Sequence, residues 1–241
     1  MQIIIKNNAQ EIGEVAASII AEQLNTKKDS IIGFATGSSP VSTYQELIKM
    51  HADGKVSFKD MTTFNLDEYY SLKGDDVNSY RYFMMDNLFG KVDVDENKVN
   101  FLCGTVEDDE SECKNYSKKI DAAGGLDIQI LGVGTNGHIG FNEPSESFSD
   151  HAFKVELQQS TIEANKIYFE DGNMPTHALT MGIGDIMKSK KIILIAIGEQ
   201  KAQAVYDMVN AEVSPKCPAT ILQNHDDVVV ILEPNSAKLL K

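Results

Sequence analysis

Apolar residues along the chain fall into two alternating patterns. Short β-branched runs at 2–5, 30–35, 61–66, 127–133, 191–197 and 228–232 are bounded by turn residues and predict strands. Between them, 9–24, 41–52, 79–88, 110–122 and 200–209 repeat apolar residues every three or four positions and predict amphipathic helices. Alternation of this kind implies an α/β fold: a doubly wound, mostly parallel sheet with helices on both faces, Rossmann-like. Ligands of such folds sit beyond the carboxyl ends of the strands, so the strand exits are where chemistry is sought.

Three exits carry unusual residues. The first reads IIGFATGSSP. Its glycine lets backbone approach a ligand, Ser38 and Ser39 offer hydroxyls, and the helix that follows begins with unpaired N–H groups. That combination suits a phosphate, and it equally suits a serine helix cap followed by Pro40. The second reads FNLDEYY. Adjacent residues here point different ways, so one of Asp67 and Glu68 can face a cleft while the other makes a structural bond. A carboxyl held in a partly dry pocket becomes a general base near neutrality, whereas the same residues in water would be an acidic turn.

The third exit reads LGVGTNGHIGFNEPS. Gly132, Gly134 and Gly137 have the spacing of a dinucleotide-binding turn, but such a turn must open a helix, and Gly140, Pro144 and several serines follow. The loop is instead expected to bring His138, Asn142 and Glu143 into one pocket, where imidazole shuttles protons and the carboxylate fixes its tautomer. No H-x-x-x-H or Cys/His cluster suggests a metal.

A chain of 241 residues, 42% of them hydrophobic, can bury one sizeable core, and no linker-like tract divides it, so a single domain spanning 1–241 is expected. The net charge of −14 disfavours contact with nucleic acid or an anionic membrane. Without a signal sequence or an apolar span, the expectation is a cytoplasmic protein. Three cysteines without C-x-x-C spacing fit reduced thiols.

Taken in order, ATGSSP, FNLDEYY, GVGTNGHIGFNEP, ALTMGIG and GEQKAQAV resemble the glucosamine-6-phosphate deaminases of the sugar-phosphate isomerase/deaminase superfamily, over essentially the whole chain. The resemblance implies conversion of D-glucosamine 6-phosphate and water to D-fructose 6-phosphate and ammonia, with no metal or organic cofactor. It assigns Asp67 as the base that carries a proton between C2 and C1, His138 to opening of the pyranose ring, and Glu143 to orienting that histidine. Where relatives read D-G-H, this chain has Asn136, which can orient the histidine but cannot take a proton.

Phosphate recognition carries over to Thr36, Gly37, Ser38, Ser39 and Lys201. Longer relatives use an arginine near 165–168, where Lys166 is the nearest cation. The segment 145–174 resembles the family's mobile lid. The short chain end resembles members that lack control by N-acetylglucosamine 6-phosphate, so a monomer or small homo-oligomer is expected. Two rivals are a 6-phosphogluconolactonase-like hydrolase, which shares the glycine turn but lacks FNEP, and a noncatalytic sugar-phosphate sensor, which would normally add a basic helix-turn-helix.

Overall fold

The computed structural model describes residues 1–169 and 172–240. In chain order its elements are β1 (Gln2–Ile5), α1 (Ala9–Thr26), β2 (Ile31–Phe34), α2 (Val41–Ala52), β3 (Thr62–Asn65), β4 (Asp67–Tyr69), α3 (Tyr80–Asn87), β5 (Val99–Asn100) and α4 (Asp109–Ala122). There follow β6 (Ile128–Leu131), β7 (Phe153–Glu156), α5 (Gln159–Asn165), β8 (His177–Thr180), α6 (Ile183–Met187), β9 (Lys191–Ala196), α7 (Ala202–Asn210) and β10 (Val228–Leu232).

The principal sheet has the order β1-β10-β9-β6-β2-β3-β5 and is parallel throughout. Every residue of β6 and β10 is buried, which is why those strands read as unbroken apolar runs rather than alternating ones. Helices cover both faces. Phe34 and Phe64 fall on opposite faces of the β2–β3 pair; Tyr44 of α2 packs on the first at 6.0 Å between ring centroids, and Tyr116 of α4 on the second at 5.5 Å. In α1 the buried residues Ile12, Ala16, Ile20 and Leu24 form one stripe at helical spacing. Its Gly13 sits so close to α2 that a Cβ would come within 2.6 Å of the Ser42 carbonyl.

The chain adds β3 and β5 on one side of β2, then returns to lay β6 against its other side. This reversal makes the β2/β6 boundary the topological switch point, where two neighbouring exit loops diverge and leave a crevice. Beyond β3 the chain crosses into a second, antiparallel sheet of order β4-β8-β7. The crossing is tied at Leu66, whose N–H donates to the Phe34 carbonyl at 2.9 Å while its own carbonyl accepts from Met181 N–H at 2.8 Å.

All six strands and five helices expected from the pattern are present, with ends shifted by a few residues. The small sheet was not anticipated. Its strands β7 and β8 fall in or beside the polar stretch 145–174, which contains β7, α5 and a 3-10 turn at Lys166–Tyr168 rather than irregular chain. Glu170 and Asp171 of that stretch, and Lys241 at the chain end, lie outside the described residues.

Candidate active site

At the β2 exit, Gly37 adopts φ +93°, a left-handed conformation that favours glycine, and a Cβ there would meet only open space. The N-cap of α2 is Pro40, and no side chain caps the helix. Ser38 and Ser39 therefore do not serve as caps, and among the described residues their hydroxyls have no hydrogen-bond partner. The cradle of hydroxyls and unpaired helix N–H groups remains available to an anion.

Lys201 ends a 3-10 turn that follows β9, at the same sheet edge and two strands away from β2. Its half-buried ammonium has no carboxylate within 4 Å among the described residues, and burial lowers its pKa. The surface lysines Lys27 and Lys190, by contrast, both pair with Asp127. Lys166 is exposed on the turn after α5.

At the β3 exit the two carboxylates separate. Glu68 caps α3: Oε1 accepts the backbone N–H groups of Tyr69 and Tyr80 at 2.8 and 2.9 Å, and Oε2 accepts that of Arg81 at 2.9 Å. Burial nevertheless pushes its pKa up to about 7. Asp67 is 5% exposed, and its carboxyl has no hydrogen-bond partner among the described residues. Burial, then the neighbouring Glu68, raises its pKa well above the usual carboxylate range. Its charge contributes to raising the pKa of Tyr44, Tyr69, Tyr80 and Tyr116.

The β6 exit explains its own glycines. Gly134 clears the imidazole of His138, because a Cβ there would come within 2.3–2.5 Å of three ring atoms. Gly137 adopts φ +83° and abuts the Cys217 thiol. His138 Nδ1 lies 3.3 Å from Glu143 Oε2, an ion-pair separation without the alignment of a hydrogen bond. Asn136 donates from Nδ2 to that same Oε2 at 2.7 Å and to Gln158 Oε1 at 3.2 Å, and its Oδ1 accepts the His138 N–H at 3.1 Å. Glu143 Oε1 accepts from the Thr161 hydroxyl at 2.5 Å and the Gln158 N–H at 3.3 Å. Burial alone would raise the pKa of Glu143; the imidazole and these donors outweigh it and hold the carboxyl at about 2.

Asn142 lines a cavity together with Glu143 but bonds neither it nor His138: its Nδ2 donates to the carbonyls of Ile139 and Met181, both at 2.9 Å, and its Oδ1 accepts from Ser149. Adjacent residues of this turn point opposite ways, so Asn142 staples the loop while Glu143 faces the imidazole. Gln158 and Thr161 were missed, since a lone Gln or Thr in a polar segment carries no signal of its own.

The β3 exit and the β6 loop meet at Phe141 and Thr180. Phe141 N–H donates to Thr180 Oγ1 at 3.1 Å, and Thr180 is the register partner of Asp67. The Phe141 ring lies 6.4 Å from that of His138, 5.6 Å from Tyr69 and 6.0 Å from Tyr80, the last nearly parallel. A cavity of about 560 Å³ lies elsewhere, between α4 and β7, lined by Lys114, Ser117, His151 and Lys154 and by none of the residues singled out above.

Residues 5–231 match the family described as glucosamine-6-phosphate isomerases/6-phosphogluconolactonase. The glucosamine-6-phosphate deaminase of Clostridium botulinum strain Langeland is 47% identical over 242 residues, covering 100% of this chain and 99% of the relative. That of Clostridium acetobutylicum is 46% identical over 241 residues, covering all of both chains. Among solved structures, a monomeric glucosamine-6-phosphate deaminase superposes with a TM-score of 0.97 at 40% identity, covering 99% of this chain and 100% of the other. The 6-phosphogluconolactonase of Thermotoga maritima shares the fold at 18% identity, with a TM-score of 0.77 over 96% of this chain and 99% of the other. The chain therefore belongs to the glucosamine-6-phosphate isomerase/6-phosphogluconolactonase family.

Proposed function

We propose that the protein is a glucosamine-6-phosphate deaminase, a single-domain enzyme that converts D-glucosamine 6-phosphate and water to D-fructose 6-phosphate and ammonia. The observation that carries this reading is Asp67: a desolvated carboxyl without a hydrogen-bond partner among the described residues, at the tip of β3, joined through Thr180 and Phe141 to the His138 loop. A carboxyl so placed suits removal of a carbon-bound proton, a step that lactone hydrolysis does not require.

Thr36, Gly37, Ser38, Ser39 and Lys201 hold the phosphate, which fixes the sugar in register so that remote binding energy is used at the reacting carbons. His138, oriented by Asn136 and Glu143, assists opening of the ring. Asp67 takes the C2 proton of the open-chain aldehyde and returns it at C1. The resulting 2-iminium adds water and expels ammonia, leaving the ketose. The segment 145–174 closes over the sugar, its residues 170 and 171 being outside the described set. The protein acts in the cytoplasm as a monomer or small homo-oligomer, on a phosphosugar and without a nucleic-acid partner.

A coupled assay for ammonia and fructose 6-phosphate tests the reading. Release of both from glucosamine 6-phosphate is expected; hydrolysis of 6-phosphogluconolactone alone would reassign the protein.

A further inference from the structure

The loop that carries His138 and Glu143 has little stiffness of its own. It holds Gly132, Gly134, Gly137 and Gly140, and two of these adopt positive φ, +83° at Gly137 and +57° at Gly140. Glycine has the widest conformational choice of any residue, so the shape of such a loop is set by what grips it. On one side the grip comes from β8 and the residue after it: Thr180 accepts the Phe141 N–H, and the Met181 carbonyl accepts from the Asn142 amide. On the other side a single turn, residues 214–220, holds the loop at both ends. The Ala219 N–H donates to the Gly137 carbonyl at 2.8 Å, and the Pro215 carbonyl accepts the Ser145 N–H at 3.0 Å. These two bonds bracket the stretch from His138 to Glu143.

The shape of the turn depends on Thr220, which is fully buried. Its Oγ1 accepts the Ser214 N–H at 2.8 Å and lies 2.7 Å from the Cys217 carbonyl and 3.1 Å from that of Ser214, which share its one proton. Backbone bonds from Cys217 N–H to the Ser214 carbonyl and from Thr220 N–H to the Cys217 carbonyl close the same turn, at 3.1 and 2.9 Å. A valine in place of Thr220 would strand the Ser214 N–H. The 3-10 segment Pro218–Asn224 anchors the turn: Ala219 and Leu222 are fully buried, and Gln223 Nε2 donates to the Met208 and Ala211 carbonyls at 2.9 and 2.8 Å, at the end of α7. Turn and loop also touch closely, since a Cβ at Gly137 would come within 2.4 Å of Cys217 Sγ. A displacement of the turn is therefore passed on to the loop rather than absorbed.

We infer that Thr220 is a positioning residue: by fixing the spacing between the Pro215 carbonyl and the Ala219 N–H, it sets the loop that aims His138 at the sugar and Glu143 at His138. The inference rests on the role given to His138 above. Thr220 itself touches neither the sugar nor the imidazole in this scheme and acts through the two backbone bonds.

Thr220→Val removes the hydroxyl and keeps the side-chain shape, and Thr220→Ser keeps the hydroxyl. Leu222→Val thins the packing of the same segment and leaves every bond of the turn in place. In Thr220→Val, kcat for glucosamine 6-phosphate falls ~10-fold or more, as a small misplacement of an acid/base group implies, while the Ki of inorganic phosphate stays within about twofold. The His138 ring-proton NMR signals, assigned by their absence from His138→Gln, are displaced in the same variant. Thr220→Ser restores kcat to within about twofold and the signals to their wild-type positions, and Leu222→Val leaves both unchanged. A fall in kcat matched by Leu222→Val, or accompanied by an equal loss of phosphate affinity, would mark a general loss of structure and overturn the inference. So would wild-type kcat in a folded Thr220→Val. Amide hydrogen exchange in the wild-type protein decides the matter if that variant does not fold. One brace frees the Ala219 and Ser145 N–H groups in the same opening, so their protection factors agree within about tenfold, and a larger difference means that the two ends are held independently and the inference fails. If the wild-type protein releases no ammonia in the coupled assay, the assigned reaction is lost, while the NMR displacement and the exchange still decide whether Thr220 sets the loop.

Discussion

Asn136 Nδ2 donates to the same oxygen of Glu143, at 2.7 Å, that faces His138 Nδ1 at 3.3 Å. The amide therefore occupies the place where a second carboxylate would meet the first. Being neutral, it leaves Glu143 ionised, with a pKa of about 2. Asn136→Asp would put two carboxylates on one site, which must then share a proton, raising one pKa well above the ordinary range. Ionising that pair costs stability, so the variant is more destabilised at pH 8 than at pH 5. Its activity falls on the acid side by about tenfold per pH unit below the new pKa, as the carboxylate's hold on the imidazole is lost. A pH profile of kcat/KM superimposable on the wild type would refute the placement.

Asp67→Asn should abolish exchange of the C2 proton with solvent and leave binding of fructose 6-phosphate largely intact. The same change tests the electrostatics. The folded-state pKa of Asp67 is raised by burial and by Glu68, so its stability contribution is present at low pH and lost as pH climbs toward that raised value. A neutral amide escapes the loss. The variant should melt about 2–4 °C higher than wild type at pH 8, as a gain of ~1 kcal/mol implies for a chain of this size, and by less at pH 5. A lower melting point at pH 8 would mean that the carboxylate has a partner after all.

Gly134→Ala addresses why the glycine spacing of a nucleotide-binding turn occurs where no helix follows. Its Cβ would fall 2.3–2.5 Å from the His138 ring, so the imidazole must move. Overpacking of this kind costs about 1–3 kcal/mol, and displacing a general acid/base costs ~10²-fold or more in kcat. Steady-state kinetics with a parallel melting curve separate the two effects. Wild-type kcat in a folded variant would show that His138 is not the group being cleared.

The contrast between Asp67 and Thr161 marks what could be read from the sequence. Asp67 stands at the end of a patterned strand inside FNLDEYY, and the rule that ligands gather at strand exits points straight to it. Even its division of labour with Glu68 follows from the opposed directions of adjacent side chains. Thr161 reaches Glu143 only because α5 folds back against a loop eighteen positions earlier in the chain, a long-range fact that local periodicity does not encode. The small sheet was hidden because β4 has only three residues, and β7 (FKVE) and β8 (HALT) lack the apolar runs that mark the equally short β2 and β6. Asn142 shows a different limit: it shares a cavity wall with Glu143, yet its amide bonds the backbone of Ile139 and Met181, because closeness in sequence does not fix which way a side chain points.

Lys201 is where a binding cation can be told from a surface one by experiment. A lysine that snorkels keeps its ammonium in water or beside an acid, and truncating it removes little more than packing. Lys201 does neither: it is half-buried, unpaired among the described residues, and has its pKa lowered by that burial. A cation held at such a cost needs an anion that the described residues do not supply, and a phosphate in the 36–39 loop would meet the need. Lys201→Ala should raise KM for glucosamine 6-phosphate by ~10–100-fold, the loss expected for a charge-assisted contact of about 1.5–3 kcal/mol, with a smaller change in kcat. Competitive inhibition by inorganic phosphate should weaken by the same factor. Stability should hold or rise slightly, since removing an uncompensated half-buried charge relieves desolvation. If KM stayed constant while the melting temperature fell, Lys201 would be a packing residue, and the phosphate would have to be held without it.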